Sequence, residues 1–533
     1  MTFLQKISHR FHDFFAGFSF GPPDDQRKPA SAEGLLSGSK QAIACIILAL
    51  TNFMVVLDTT IANVSVPHIA GDLAVSNSQG TWVITSYAVA EAICVPLTGW
   101  LSRRFGTVLL FFISIIGFTS FSCLCGFSHS LMVLLIFRCL QGFFGGPLMP
   151  ITQTLLLRVF RKEQHAQAMG IWAMTTITAP IIGPIMGGWL SDNWSWPWIF
   201  YINIPIGIIC AMGVFALLRS VETRTLKEYI DKGGLTIMVI WIACLQIALD
   251  LGHDHDWLSS RMIVTLLILA AIGFVVFVIW ELTEKQPIVD LKIFRHRGFT
   301  ISVLSLSFSF GVFFASAVII PQWLQRVMGY TATDSGLVTA MSGILAVCFS
   351  PIVAKLSGKV DARILVSFGI LWLGGCTALR TFWDTNSSYW IFAVPQFLQG
   401  IGMPFFFVPL TTLALSSVLP EETTSAAGLM NFLRTLAGAI GTSWSTTVWE
   451  DYARKMHNEL ANVIPTPNAI LPVLQMGGQN TLKARAFFDA LVDTQSYALS
   501  TTHIFFISTM VFVVASSVIW LAPAPKKKQG KQG

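Results

Sequence analysis

The chain alternates between long apolar runs and short polar ones. Runs long enough to cross a bilayer as helices lie at 41–66, 80–102, 107–127, 131–156, 166–190, 198–218, 233–251, 261–282, 299–322, 335–357, 363–383, 389–418, 425–448 and 501–521. The pattern predicts an all-α polytopic membrane protein of 14 transmembrane helices, and an even count puts both termini on one side. Before the first run, Phe3, Leu4, Ile7, Phe11, Phe14, Phe15 and Phe18 recur at helical spacing among Lys6, His9, Arg10 and His12, which predicts a short helix lying in the inner interface. No cleavable signal is expected, so the first span serves as its own insertion signal. The 450–500 segment is the long extramembrane piece, with Pro465, Pro467, Pro472 and a helix-like run over 481–499.

One stretch repeats. LQGFFGGPLMPITQTLLL from Leu140 matches LQGIGMPFFFVPLTTLAL from Leu398, and GWLSRRF from Gly99 matches AKLSGKV from Ala354 at a similar offset. Duplication divides the chain into an N-terminal tail (1–40), a six-helix half (41–218), a linker with two inserted helices (219–298), a second six-helix half (299–521, including the 450–500 loop) and a basic tail (522–533). Parallel halves with a path between them are a transporter architecture. Within the repeat Arg138 aligns with Gln396, so a charge at this place is expected in one half only, and the charge chemistry is expected to concentrate in the N-terminal half.

Composition narrows the class. With 53% hydrophobic and 12% charged residues and a mean hydropathy of +0.65, the chain is no ordinary soluble domain. The net charge of +6 reports topology, because its cations sit in short loops. Of the 34 Lys and Arg, 25 fall on the side of both termini and seven, including Arg380, on the other. The positive-inside rule therefore makes both termini cytoplasmic and leaves no nucleic-acid footprint. All nine cysteines fall in predicted spans, so no disulfide framework is implied.

Charges inside spans carry the candidate chemistry, because each costs a few kcal/mol unless paired or protonated. Asp58 lies roughly 12 Å from the outer end of the first span and Arg138 roughly 10 Å into the fourth, at helical rise. Their equal depth predicts a pair. Glu91 reads as a second protonation site or a handle for cationic or hydrogen-bonding substrates. Asn431 and Arg434 sit near mid-membrane, where the arginine must meet an acid, backbone carbonyls or water. Asn63, Gln141, Gln153, Gln396 and Gln399 are candidates to line a central cavity, with Met149, Trp172, Met174, Phe405 and Phe406 as adaptable walls. His253-Asp254-His255-Asp256 has metal-ligand residue types but reads as a solvated loop without a distant fourth ligand. No phosphate loop, His-Glu-x-x-His or nucleophile elbow is present. ATP hydrolysis and enzyme chemistry are not expected.

Four stretches together carry a resemblance: LDTTIANVSVP (57–67), GWLSRRFG (99–106), RCLQG and its following glycines (138–146), and APIIGPIMGG (179–188). The chain resembles the major facilitator superfamily, specifically its fourteen-span drug/proton antiporters of the EmrB type, over residues 40 to 521. The resemblance implies the major facilitator fold and a proton-coupling role for Asp58 and Arg138. It implies a hinge at Pro180, Gly183, Pro184, Gly187 and Gly188, and a cytoplasmic gate at Gly99, Leu101, Arg104 and Gly106. The gate motif departs at Arg103, where an Asp is expected, and at Thr107, where a basic residue is usual. The resemblance further implies export of lipophilic small molecules from the bacterial inner membrane, with the proton gradient as energy source and no cofactor. A periplasmic membrane-fusion adaptor and a TolC-type outer-membrane channel are the partners it implies.

Overall fold

The computed structural model describes residue 36 and residues 38–522, except 224, 227–229, 253–254 and 464–480. The interfacial helix expected before residue 19, His253, Asp254, the three prolines of the 450–500 segment and nearly all of the basic tail lie outside the described residues. The chain forms α1 (Gly38–Asp72), α2 (Trp82–Phe105), α3 (Thr107–Gly126), α4 (Leu131–Val159), α5 (His165–Asn193), α6 (Trp198–Val221), α7 (Lys232–Leu251) and α8 (Arg261–Thr283). There follow α9 (Arg297–Arg326), α10 (Ala332–Ser357), α11 (Ala362–Leu379), α12 (Tyr389–Ser416), α13 (Thr423–Val463) and α14 (Thr481–Val518).

Thirteen of these are long and apolar enough to cross a membrane. The exception is α13, which packs against α9, α14, α2, α4 and α7. A helix surrounded by protein has little need of a lipid-compatible surface, so it tolerates Asn431 and Arg434. Both α13 and α14 outrun their predicted spans: residues 449–463 and 481–500 are helical continuations, not loop. Trp449 joins them, its Nε1 donating to Thr501 Oγ1 at 2.7 Å, its carbonyl accepting from Ser500 Oγ and its ring tilted against Tyr497. Further along, His457 lies 3.0 Å from Asp493 and 3.5 Å from Asp489.

Helices α1–α6 and α9–α14 form two bundles, and the α7–α8 hairpin packs on α2 and α13. The bundles meet at the end that bears residues 99–106, the end expected to face the cytoplasm. A Cβ on Gly99 would collide with Ser425, one on Gly428 with the Val95 carbonyl, and one on Gly170 with the Ala354 methyl. Small residues thus bring α2 against α13 and α5 against α10. Arg103 adds a hydrogen bond from Nη1 to Ser425 Oγ at 2.7 Å.

Gly106 turns the chain between α2 and α3 at φ +94°, a conformation that a side chain rarely adopts. Glu222 fills the space beside it, accepting from Val108 N at 2.9 Å and Leu109 N at 2.8 Å, and so caps α3 with a carboxylate. Burial pushes the Glu222 carboxyl above its ordinary range, against the opposing pull of these amides and Arg158. Thr107 is fully buried here, bonded to Ser102 and Thr223. A basic side chain at 107 would have no room, which accounts for that departure from the gate motif.

Candidate functional site

Five helices of the first bundle converge on one carboxylate. Asp58, midway along α1 and fully buried, accepts from Arg138 Nη1 at 2.8 Å on Oδ2. Its Oδ1 accepts from Gln141 Nε2 at 3.0 Å and from Asn203 Nδ2 at 2.6 Å. Arg138 and Gln141 share a face of α4 because they lie three residues apart, and Arg138 Nη1 also donates to Gln141 Oε1 at 2.9 Å. That contact points the Gln141 amide nitrogen at Asp58. Arg138 Nε donates to the Val83 carbonyl at 3.1 Å, and its guanidinium lies 4.3 Å from the Tyr87 ring centroid, both on α2. From α6, Asn203 donates to Ser122 Oγ of α3 at 3.1 Å, and Ser122 in turn donates to the Phe200 carbonyl.

Every group facing Asp58 in this shell is a donor, so the shell fits an ionised carboxylate. A protonated carboxyl would carry its own hydrogen into that shell.

A second polar group lies between the halves. Arg434 of α13 and Glu91 of α2 act electrostatically on one another. The guanidinium lies 5.5 Å from the ring centroid of Trp172, 5.0 Å from Phe310 and 5.6 Å from Phe407, with Nη2 2.6 Å from Met149 Sδ. Its Nε and Nη1 are buried without a hydrogen-bond partner among the described residues. One turn earlier, Asn431 Nδ2 donates to Gln153 Oε1 at 2.6 Å, joining the two halves directly. Glu91 thus feels the charge of Arg434 most strongly and those of Asp58 and Arg138 as well.

The C-terminal half departs from expectation. Arg380, placed in an outer loop by the sequence, is 1% exposed at the end of α11. Its Nη2 donates to Gln396 Oε1 at 2.6 Å, and its Nε is unpartnered among the described residues. A buried arginine therefore does reach the place that corresponds to Arg138, supplied by the third helix of the half instead of the fourth. The expectation of one charged half was wrong for that reason.

The remaining candidates are dispersed. Gln399 is buried with Oε1 unpartnered among the described residues, whereas Asn63 and Arg104 are exposed. Along α5 the helix runs unbroken through Pro180 and Pro184. A Cβ on Gly183 would strike Thr60 and one on Gly187 the Ile61 carbonyl, while Gly188 meets only Val64 at 3.9 Å. These glycines seat α5 on α1 two and three residues beyond Asp58. Among the described residues no group of three or more His, Cys, Asp or Glu could hold a metal.

Sequence reasoning missed Asn203, Ser122 and Tyr87. The depth argument that found Arg138 would have found the first two: Asn203 is five residues into α6 and Ser122 about five from the end of α3, each roughly 8 Å from the same side.

Residues 48–442 match the Major Facilitator Superfamily. The chain is 43% identical over 505 residues to the multidrug export protein EmrB of Escherichia coli K12, spanning 94% of this chain and 98% of that one. It is 40% identical over 499 residues to the EmrB of Haemophilus influenzae, covering 92% and 97%. To the fatty acid resistance protein FarB of Neisseria gonorrhoeae it is 41% identical over 494 residues, covering 92% and 97%. Among solved structures, that of the human organic anion transporter MFSD10 (TETRAN) aligns with a TM-score of 0.55 at 13% identity, over 89% of this chain and 99% of that one, a likeness of fold alone.

Proposed function

The chain belongs to the Major Facilitator Superfamily, among its EmrB-type transporters, and from that premise we propose that it is a proton-coupled antiporter exporting lipophilic toxic compounds from the bacterial inner membrane, both termini cytoplasmic. The observation that carries the coupling is the donor-only shell of Asp58. Proton uptake by Asp58 disturbs α1, α4 and α6 together, and α1 is the helix on which the glycines of α5 sit. Proton binding and rearrangement of the first bundle are then one event, alternating with drug occupancy.

The drug site we propose is the aromatic enclosure around Arg434 and Glu91, where Trp172, Phe310, Phe407 and Met149 offer apolar, polarisable walls. Occupancy there pushes on α2, whose Val83 carbonyl and Tyr87 ring hold Arg138. The paired extensions of α13 and α14 are the surface for a periplasmic membrane-fusion adaptor leading to a TolC-type outer-membrane channel. The positive-inside count supports that orientation.

The test is dye export driven by an imposed proton gradient in membrane vesicles, with the wild type beside Asp58→Asn. Loss of gradient dependence in the variant, with dye still bound, is the expected result. Undiminished gradient-driven export would remove Asp58 from the mechanism.

A further inference from the structure

Outside the central path, two carboxylates meet at the inner end of the α7–α8 hairpin. Asp231 precedes α7 and is 8% exposed; its Oδ1 accepts from Gly234 N at 3.0 Å and its Oδ2 from Trp280 Nε1 at 2.7 Å. Glu281, near the end of α8, is 1% exposed; its Oε2 accepts from Val289 N at 3.2 Å. A Cβ added at Gly234 would lie under 3.0 Å from both Asp231 Oδ2 and Glu281 Oε1. The two oxygens border the same open face of one glycine, and Glu281 Oε1 has no hydrogen-bond partner among the described residues.

The other charged groups nearby are Lys232 and Lys285, both exposed, and Glu284 and Asp290, both half-buried. Among the described residues the partners of the pair are amides and an indole, not a cation. Two ionised carboxylates so placed repel each other where water screens poorly, whereas one proton between them makes a donor and an acceptor.

We propose that Asp231 and Glu281 form a proton-binding pair, with a hydrogen on Glu281 Oε1 donated to Asp231 Oδ2. The bond ties the two ends of the hairpin together. Through Glu281 Oε2 it also holds the chain that follows α8, which continues to Arg295 and His296. These grip Glu422, just before α13, at 2.6 and 2.9 Å. Loss of the shared proton releases that connection toward the helix whose Ser425 closes the inner end. The pair works independently of Asp58.

Hydrogen–deuterium exchange of the full chain in lipid nanodiscs tests this, read on peptides covering 284–296 and corrected for intrinsic rates. In the wild type, protection should fall about tenfold as pH rises through the titration of the pair, the effect of one unit of proton affinity. In Glu281→Gln the fall should vanish and protection persist at alkaline pH; Asp231→Asn, should the first variant misfold, must remove or displace the step. Infrared difference spectra of wild type against Glu281→Gln should show a protonated carboxyl band at neutral pH. A wild type without the step, a step unchanged in both variants, a step governed by added magnesium or chelator, or absence of the band would each overturn the proposal.

Discussion

Arg138 and Arg380 occupy corresponding places in the two bundles and are equally buried, at 1% exposure each, yet among the described residues only Arg138 pairs with an acid. Around Arg138 stand the Asp58 carboxylate, the Gln141 and Val83 oxygens and the Tyr87 face. Around Arg380 stand the Gln396 oxygen and the more distant Phe505 ring, with Nε unmet. A guanidinium does not release its proton in a protein, so the second site is electrostatically fixed. A carboxylate can change state, which is why the proposed coupling rests on the first. The coupling proposed above therefore belongs to the first bundle, with the other as the frame against which it would move.

The largest expected effect breaks that asymmetry directly. Asp58→Asn should lower gradient-coupled export by about a hundredfold, the lower range for a proton-transferring side chain, whereas Arg380→Gln should leave coupling intact in the same vesicle assay. A matched pair of substitutions then compares energetics. Arg138→Met strands a buried carboxylate and should cost about 3–5 kcal/mol of stability, seen as a lowered melting temperature in detergent. Arg380→Met removes a charge that no acid offsets and should change stability by less than about 1 kcal/mol, or raise it. Equal losses in the two variants would show that the sites are alike after all.

Smaller changes sharpen the picture. Asn203→Leu removes one donor from the Asp58 shell and should cost about 1–3 kcal/mol while leaving export measurable. At the gate end, burial raises the Glu222 carboxyl in the folded protein. The folded state therefore holds that proton more firmly, and the stability it adds is full below the ordinary carboxylate range and lost as pH rises through the raised value. Glu222→Gln should flatten this slope in melting temperature against pH. An unchanged slope would assign the pH dependence to other groups.

Much of this was legible in the sequence because a bilayer restricts what a chain can do. Long apolar runs marked all fourteen helices, and depth alone joined Asp58 to Arg138 across 80 positions. The unread parts share a cause. Asn203 and Ser122 are ordinary polar residues in apolar helices, meaningful only once their level is matched to Asp58. Arg380 was misplaced because it follows the last apolar residues of α11, where hydropathy sees a helix end and not the bundle interior it turns into. The helix-like run over 481–499 was legible, but the extension of α13 was read as loop because amphipathic helices paired with each other, such as the stretch around Trp449 and Tyr497, lack the uniform hydrophobicity of a span.

The most direct measurement is proton release by the purified protein in weakly buffered solution when a lipophilic dye is added, for the wild type, Asp58→Asn and Arg380→Gln. The wild type and Arg380→Gln should release protons in step with dye bound, and Asp58→Asn should bind dye without releasing any. Undiminished release from Asp58→Asn, or its loss in Arg380→Gln, would contradict the assignment of coupling to the Asp58 shell.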